Sequence, residues 1–203
     1  MRGLILSSLI LAAGAAEGKP RIAPDMDAVI SLMGRHASGH ACPIAEHLAL
    51  TAAHVVDPRP FDPTVPVSPA DWSNGLGRSG ALLPVSVARD RDLALMRSEQ
   101  PFGAFYPISR QAPVAGQAVY ALAFDWRKRQ DMLAPRVLSL EVLRVVARMI
   151  VTTPEYYPGA SGGCLLNASG EVLGIVAWGM ESDDGREVGL AVGVWGESFE
   201  AIP

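Results

Sequence analysis

Apolar residues in this chain come in short runs rich in Val, Ile and Leu, cut apart by Gly, Pro, Asn and Asp, and few stretches keep a helical period for three turns. Spacing of that kind leaves strands as the elements able to bury an apolar face, so the chain is expected to be all-β. Strands are placed at 28–33, 39–44, 48–51, 81–89, 93–97, 117–123, 135–147, 149–152, 163–167, 172–178 and 188–194. A helix competes with a strand only across 138–150, and residues 52–55 suit a single helical turn. Two stretches interrupt the series. Residues 57–80, rich in Pro, Gly, Asp and Ser, read as an extended surface loop carrying Trp72; residues 101–113 read as a linker between an earlier and a later set of strands. Closing each set into a small barrel removes exposed sheet edges, which gives barrels over about 26–100 and 114–203. With 203 residues, 49% of them hydrophobic, the chain has enough apolar surface to bury such cores.

The first residues follow a different pattern. Arg2 precedes an apolar and small stretch from Gly3 to Ala16 that is broken only by Ser7 and Ser8. Residues 1–16 are therefore expected to be a signal peptide, with Ala13-Gly14-Ala15 as the small residues for cleavage and Glu17-Gly18-Lys19-Pro20 opening the mature chain; a buried N-terminal helix is the other reading. Residues 17–203 then form the working domain, exported to a periplasm or secreted. No second segment approaches membrane length, so no membrane contact is expected of the mature form. A net charge of -4 without a long basic run argues against nucleic acid as a partner. Arg127-Lys128-Arg129, flanked by Asp125 and Asp131, reads as a solvated loop tip. Cys42 and Cys164 are the only cysteines, so a single pairing exists; an oxidising compartment would permit it, and two buried free thiols are the other state.

Chemistry concentrates in Pro158-Gly159-Ala160-Ser161-Gly162-Gly163, a serine among glycines with Cys164-Leu165-Leu166 behind it. A hydroxyl attacks a carbonyl only if a base takes its proton and donors hold the resulting oxyanion. Gly159, lacking a Cβ, can turn tightly and present its N–H beside that of Ser161. Alone, the motif is better read as a glycine-rich turn before a strand. Upstream, Leu50-Thr51-Ala52-Ala53-His54-Val55-Val56 sets a histidine among small residues just past a strand, with a near-neutral pKa suited to accepting and returning a proton. In Asp90-Arg91-Asp92-Leu93-Ala94-Leu95-Met96, Asp92 immediately precedes an apolar run, where it can accept a hydrogen bond from the imidazole; by itself it would be a strand-capping acid.

In that order, Thr51-Ala52-Ala53-His54, Asp92-Leu93-Ala94-Leu95 and Gly159-Ala160-Ser161-Gly162-Gly163 resemble the trypsin-like serine proteases of the chymotrypsin fold, and in particular the compact bacterial members. The resemblance runs from about Ala28 to Val194. It implies two six-stranded antiparallel β-barrels with the active site between them. It also implies His54 as general acid/base, Asp92 as its orienter, Ser161 as nucleophile and the Gly159 and Ser161 amides as oxyanion hole. The substrate would be a polypeptide, and no cofactor or metal is needed. Gly174-Ile175-Val176-Ala177-Trp178-Gly179 is similar to the family's strand along the specificity pocket, with Gly179 and Gly189 keeping the walls open and Trp178 either facing substrate or packing in the core. Glu155, six residues before Ser161, would lie near the pocket base or in solvent. Ala160 stands where digestive members carry the aspartate that pairs with a newly cleaved N-terminus, so that route of activation is closed to this chain. The family fold would bring Cys42 and Cys164 together at the barrel interface, in support of a disulfide. His36, His40 and His47 follow no metal-ligand spacing and read as surface or strand residues.

Gly-x-Ser-x-Gly also marks the α/β-hydrolases, but their histidine follows the serine, and none does here. A subtilisin-like order would need an aspartate before His54; the surroundings of Asp25 and Asp27 do not match. The remaining alternative is a binding module of the trypsin fold that has lost turnover.

Overall fold

The computed structural model describes residues 25, 27–34, 37–57, 66–124, 135–154, 159–182 and 184–199. The signal-peptide stretch, His36, Arg127-Lys128-Arg129 and Glu155 lie outside them. The first barrel consists of β1 (Ile30–Met33), β2 (Ser38–Pro43), β3 (Leu48–Ala52), β4 (Ala70–Asn74), β5 (Ser79–Ala88) and β6 (Leu93–Ser98), closed in the order β1-β2-β3-β6-β5-β4. The second consists of β7 (Ala118–Phe124), β8 (Pro135–Val146), β9 (Met149–Thr152), β10 (Cys164–Leu166), β11 (Val172–Glu181) and β12 (Glu187–Gly193), closed in the order β10-β11-β12-β9-β8-β7. All neighbouring strands run antiparallel. Helix among the described residues is limited to one turn, α1 (Ala53–Val56), and a 3-10 turn at Arg89–Arg91. None is long and apolar enough to cross a membrane.

Each barrel is filled by its own side chains: Ile30, Leu32, Trp72, Leu82 and Met96 in the first, Val119, Leu140, Ile150, Leu165 and Val176 in the second. A third apolar cluster belongs to neither barrel alone, joining Leu50 and Leu95 to Leu122, Leu166 and Ile175. At about 1.5–3 kcal/mol for each large buried side chain, this seam outweighs the polar contacts along it and sets how the barrels dock. Cys42 on β2 and Cys164 on β10 are disulfide-bonded across the same seam, with Cα atoms 4.9 Å apart.

The structure corrects the reading of residues 57–80 as one extended surface loop. Within the stretch read as a surface loop, residues 70–74 form β4, pairing with β1 and β5. Trp72 is 2% exposed, packs against Phe102 and donates its indole N–H to Ser98 Oγ at 3.0 Å. Asp71, Ser73 and Asn74 favour turns, but strand alternation sends Asp71 and Ser73 outward while Ala70, Trp72 and Asn74 point in. Across 138–150 the competition resolves as strand, β8 running to Val146 before a turn at Ala147 leads into β9.

Candidate active site

β3 delivers the chain to the seam and α1 turns it, so that His54 stands on a single helical turn whose other side chains, Ala53, Val55 and Val56, are buried. Asp92 meets it at the start of β6. Its left-handed backbone, φ 52° and ψ 43°, ends the 3-10 turn and is one that aspartate tolerates better than most residues. That conformation lets the carboxylate take two bonds from one residue: the His54 amide donates to Oδ1 at 2.9 Å and the His54 Nδ1–H donates to Oδ2 at 2.8 Å. The Ala53 amide also donates to the Asp92 carbonyl, at 3.1 Å. Arg91 ties this corner to the second barrel through the Gly193 carbonyl at 3.0 Å and Glu197 at 2.6 Å. Asp90 is exposed.

The turn carrying Ser161 is fixed by β11. The Gly162 amide donates to Val176 O at 2.7 Å, and the Val176 amide to Gly163 O at 2.9 Å. The β11–β12 register shifts between Val176 and Trp178, leaving Ala177 as the extra residue of a bulge. Its carbonyl, out of the ladder, accepts the Ser161 hydroxyl at 2.6 Å. Gly159 has φ +94° and Gly162 φ +87°. At Gly162 any Cβ would collide with the His40 carbonyl, so the turn approaches β2 only because that residue is glycine. Among the described residues the Gly159 and Ser161 amides have no acceptor, whereas Gly162 and Gly163 both do.

Ala160, Ser161, Ala177, Trp178 and Gly179 line a cleft of about 510 Å³. Trp178 is 46% exposed, with its ring centroid 5.3 Å from that of His54, so it faces the cleft rather than the core. Gly179 pairs with Gly189, but the lining contributed by β12 comes from Glu187 and Val188. Glu155 falls outside the described residues. No group of three or more His, Cys, Asp or Glu among the described residues could hold a metal ion.

His40 differs most from expectation. It is a strand residue, on β2, but not a surface one: it is 1% exposed, and its Nδ1–H donates to the Gly159 carbonyl at 2.6 Å. Burial pushes its pKa from 6.5 down to about 4, against a smaller upward pull from that hydrogen bond. The signal available in the sequence was a histidine set among small residues, Gly39, Ala41 and Cys42.

Residues 37–175 match the model of the trypsin-like peptidase domain. A comparison with curated proteins finds no match. The fold is similar to that of a serine endoprotease from Yersinia pestis, with a TM-score of 0.66 and 21% identity over 83% of this chain and 59% of that one. It is similar to the MamO protease domain from Magnetospirillum magneticum, with a TM-score of 0.64 and 20% identity over 83% of this chain and 92% of that one. It also resembles an inactive serine-to-alanine mutant of Rv3671c from M. tuberculosis H37Rv, with a TM-score of 0.64 and 16% identity over 83% and 82% of the two chains. At these identities the likeness is one of fold.

Proposed function

Because the chain belongs to the trypsin-like peptidase family, we propose that it is a serine endopeptidase working through an acyl-enzyme, with His54, Asp92 and Ser161 as its triad. The observation that carries this is the double hold of Asp92 on His54. It keeps the proton on Nδ1 and leaves the Nε2 lone pair to act as base. In the first step the Ser161 hydroxyl leaves Ala177 O, its proton passes to His54 Nε2, and Oγ bonds to the scissile carbonyl carbon. The negative oxygen so formed is held by the Gly159 and Ser161 amides, which have no other acceptor among the described residues. His54 then protonates the departing amine as the carbon–nitrogen bond breaks, leaving an ester on Ser161. Water repeats the sequence: it gives a proton to His54 as its oxygen bonds to the acyl carbon, and His54 returns that proton to Ser161 Oγ as the ester bond breaks and the new carboxyl terminus departs. That Ser161 donates to Ala177 O in the resting site fits apo enzymes, whose catalytic hydrogen bonds often form only with substrate present.

The substrate would be a polypeptide entering the cleft beside Trp178 and Gly179. The apolar 1–16 stretch and the Cys42–Cys164 disulfide together support export to an oxidising compartment. A binding module of the same fold without turnover is the rival, favoured only by the Ser161 bond to Ala177. A fluorophosphonate probe decides between them. Folded wild type should label, Ser161→Ala should not, and His54→Ala should label at least about 100-fold more slowly. Failure of the folded wild type to label refutes the peptidase reading.

A further inference from the structure

His40 touches the serine turn at three places although peptide hydrolysis as described makes no use of it. Its Nδ1–H donates to Gly159 O at 2.6 Å, and its backbone amide donates to Ser161 O at 2.7 Å. Its carbonyl lies where a side chain on Gly162 would be, and is itself held by the Thr51 hydroxyl at 2.7 Å. A carbonyl only accepts, so the ring proton sits on Nδ1, and with a pKa of about 4 the imidazole is neutral at any ordinary working pH. The turn needs such a hold. Gly159, at φ +94°, occupies a backbone region that glycine enters freely and can leave as freely. Ala160, buried and without a polar side chain, contributes no anchor of its own.

We propose that His40 is a positioning residue for the oxyanion hole: by pinning the Gly159 carbonyl from the opposite barrel, it stops Gly159 from rotating and keeps the Gly159 amide turned to the cleft. The catalytic consequence rests on the peptidase reading above; the backbone consequence does not. Transition-state charge is held by the amide while ground-state binding depends on the cleft walls, so the effect belongs on kcat rather than KM.

The test compares His40→Leu, which fills most of the space without a donor, with His40→Asn, whose side-chain amide can donate from near the Nδ1 position. His40→Leu should lower kcat about 100-fold with KM within about threefold, and His40→Asn should recover at least about tenfold of that loss. A kcat for His40→Leu within threefold of wild type overturns the proposal, as does an equal loss in both variants, which would mark a packing role. Two measurements do not depend on turnover. In wild type at pH 7 the ring-nitrogen shifts should place the proton on Nδ1; a proton on Nε2 alone overturns the proposal even if no variant folds. The amide nitrogen of Ala160, in the peptide whose carbonyl His40 holds, should shift in His40→Leu and return towards wild type in His40→Asn. Unchanged amide shifts across residues 159–161 in His40→Leu overturn it. A wild type that does not label with fluorophosphonate refutes the peptidase reading, and these spectra still decide the positioning role.

Discussion

Acidification should loosen this protein through His40, by an amount that can be worked out. In the unfolded chain the imidazole takes up a proton near pH 6.5; in the native state burial delays this to about pH 4. Between those values the unfolded chain binds more protons than the native one, so stability rises with pH there and falls as the pH drops. The stability is present in full above about 6.5 and is lost progressively towards pH 4. At about 1.4 kcal/mol for each pH unit of displacement, the loss reaches about 3 kcal/mol by pH 4. Two influences set the ring's titration: its burial, which lowers the pKa, and the bond to the Gly159 carbonyl, whose upward pull is the smaller. Other groups titrate over the same range, so the quantity to measure is a difference. Urea unfolding of wild type and His40→Asn should be followed from pH 7 to pH 4. The two should converge by about 3 kcal/mol as the pH falls, because only wild type carries the buried imidazole. A gap that changes by less than about 1 kcal/mol over that range would refute the reasoning, and with it the assignment of a buried neutral ring.

Asp92→Asn should lower kcat by about four orders of magnitude, because an amide in that position favours the wrong histidine tautomer, while leaving the melting temperature nearly unchanged, since asparagine also accepts a left-handed backbone. Turnover within about tenfold of wild type would show that Asp92 does not orient His54. Cys42 and Cys164 are 122 residues apart in sequence. On the chain-entropy account, replacing both with serine should cost about 5 kcal/mol, a fall of roughly 10–20 °C in thermal unfolding measured by calorimetry, and a fall below about 3 °C would contradict it.

Most strands are legible because their apolar runs are longer than the turns that divide them. β4 is not, because in Ala70-Asp71-Trp72-Ser73-Asn74 the inward residues alternate with turn formers inside a stretch rich in proline and glycine, and composition outweighed alternation. Trp72 carried the missing information: a large aromatic so placed needs both a core and a partner for its N–H, and it finds them in Phe102 and Ser98. The far end of β11 was missed for a related reason. Its ladder continues past Trp178 to Glu181 only because the bulge at Ala177 restores the register with β12, and a bulge leaves no mark in the order of residues.

The same distinction divides the candidate site. His54, Asp92 and Ser161 stand in local sequences that suit their chemistry, yet each has a plain structural reading alone, and only their order along the chain, taken with the motifs around them, picks them out together. The contact of His40 with Gly159 spans 119 residues and joins two barrels, and no local pattern encodes it. It also bears on how the turn is held around Ala160, which is buried and has no polar side chain. Where the turn has no charged side chain to anchor it, the hold comes from β2, through one side-chain bond and one backbone bond. The disulfide from Cys42 lies two residues beyond His40 and reaches Cys164, three residues beyond Ser161. The bonds from His40 to the serine turn and the disulfide beside them therefore all cross from one barrel to the other. A second barrel separated from the first would keep Ser161 on its bond to β11 but lose both bonds from His40, and Gly159 would be free to turn its amide away from the cleft.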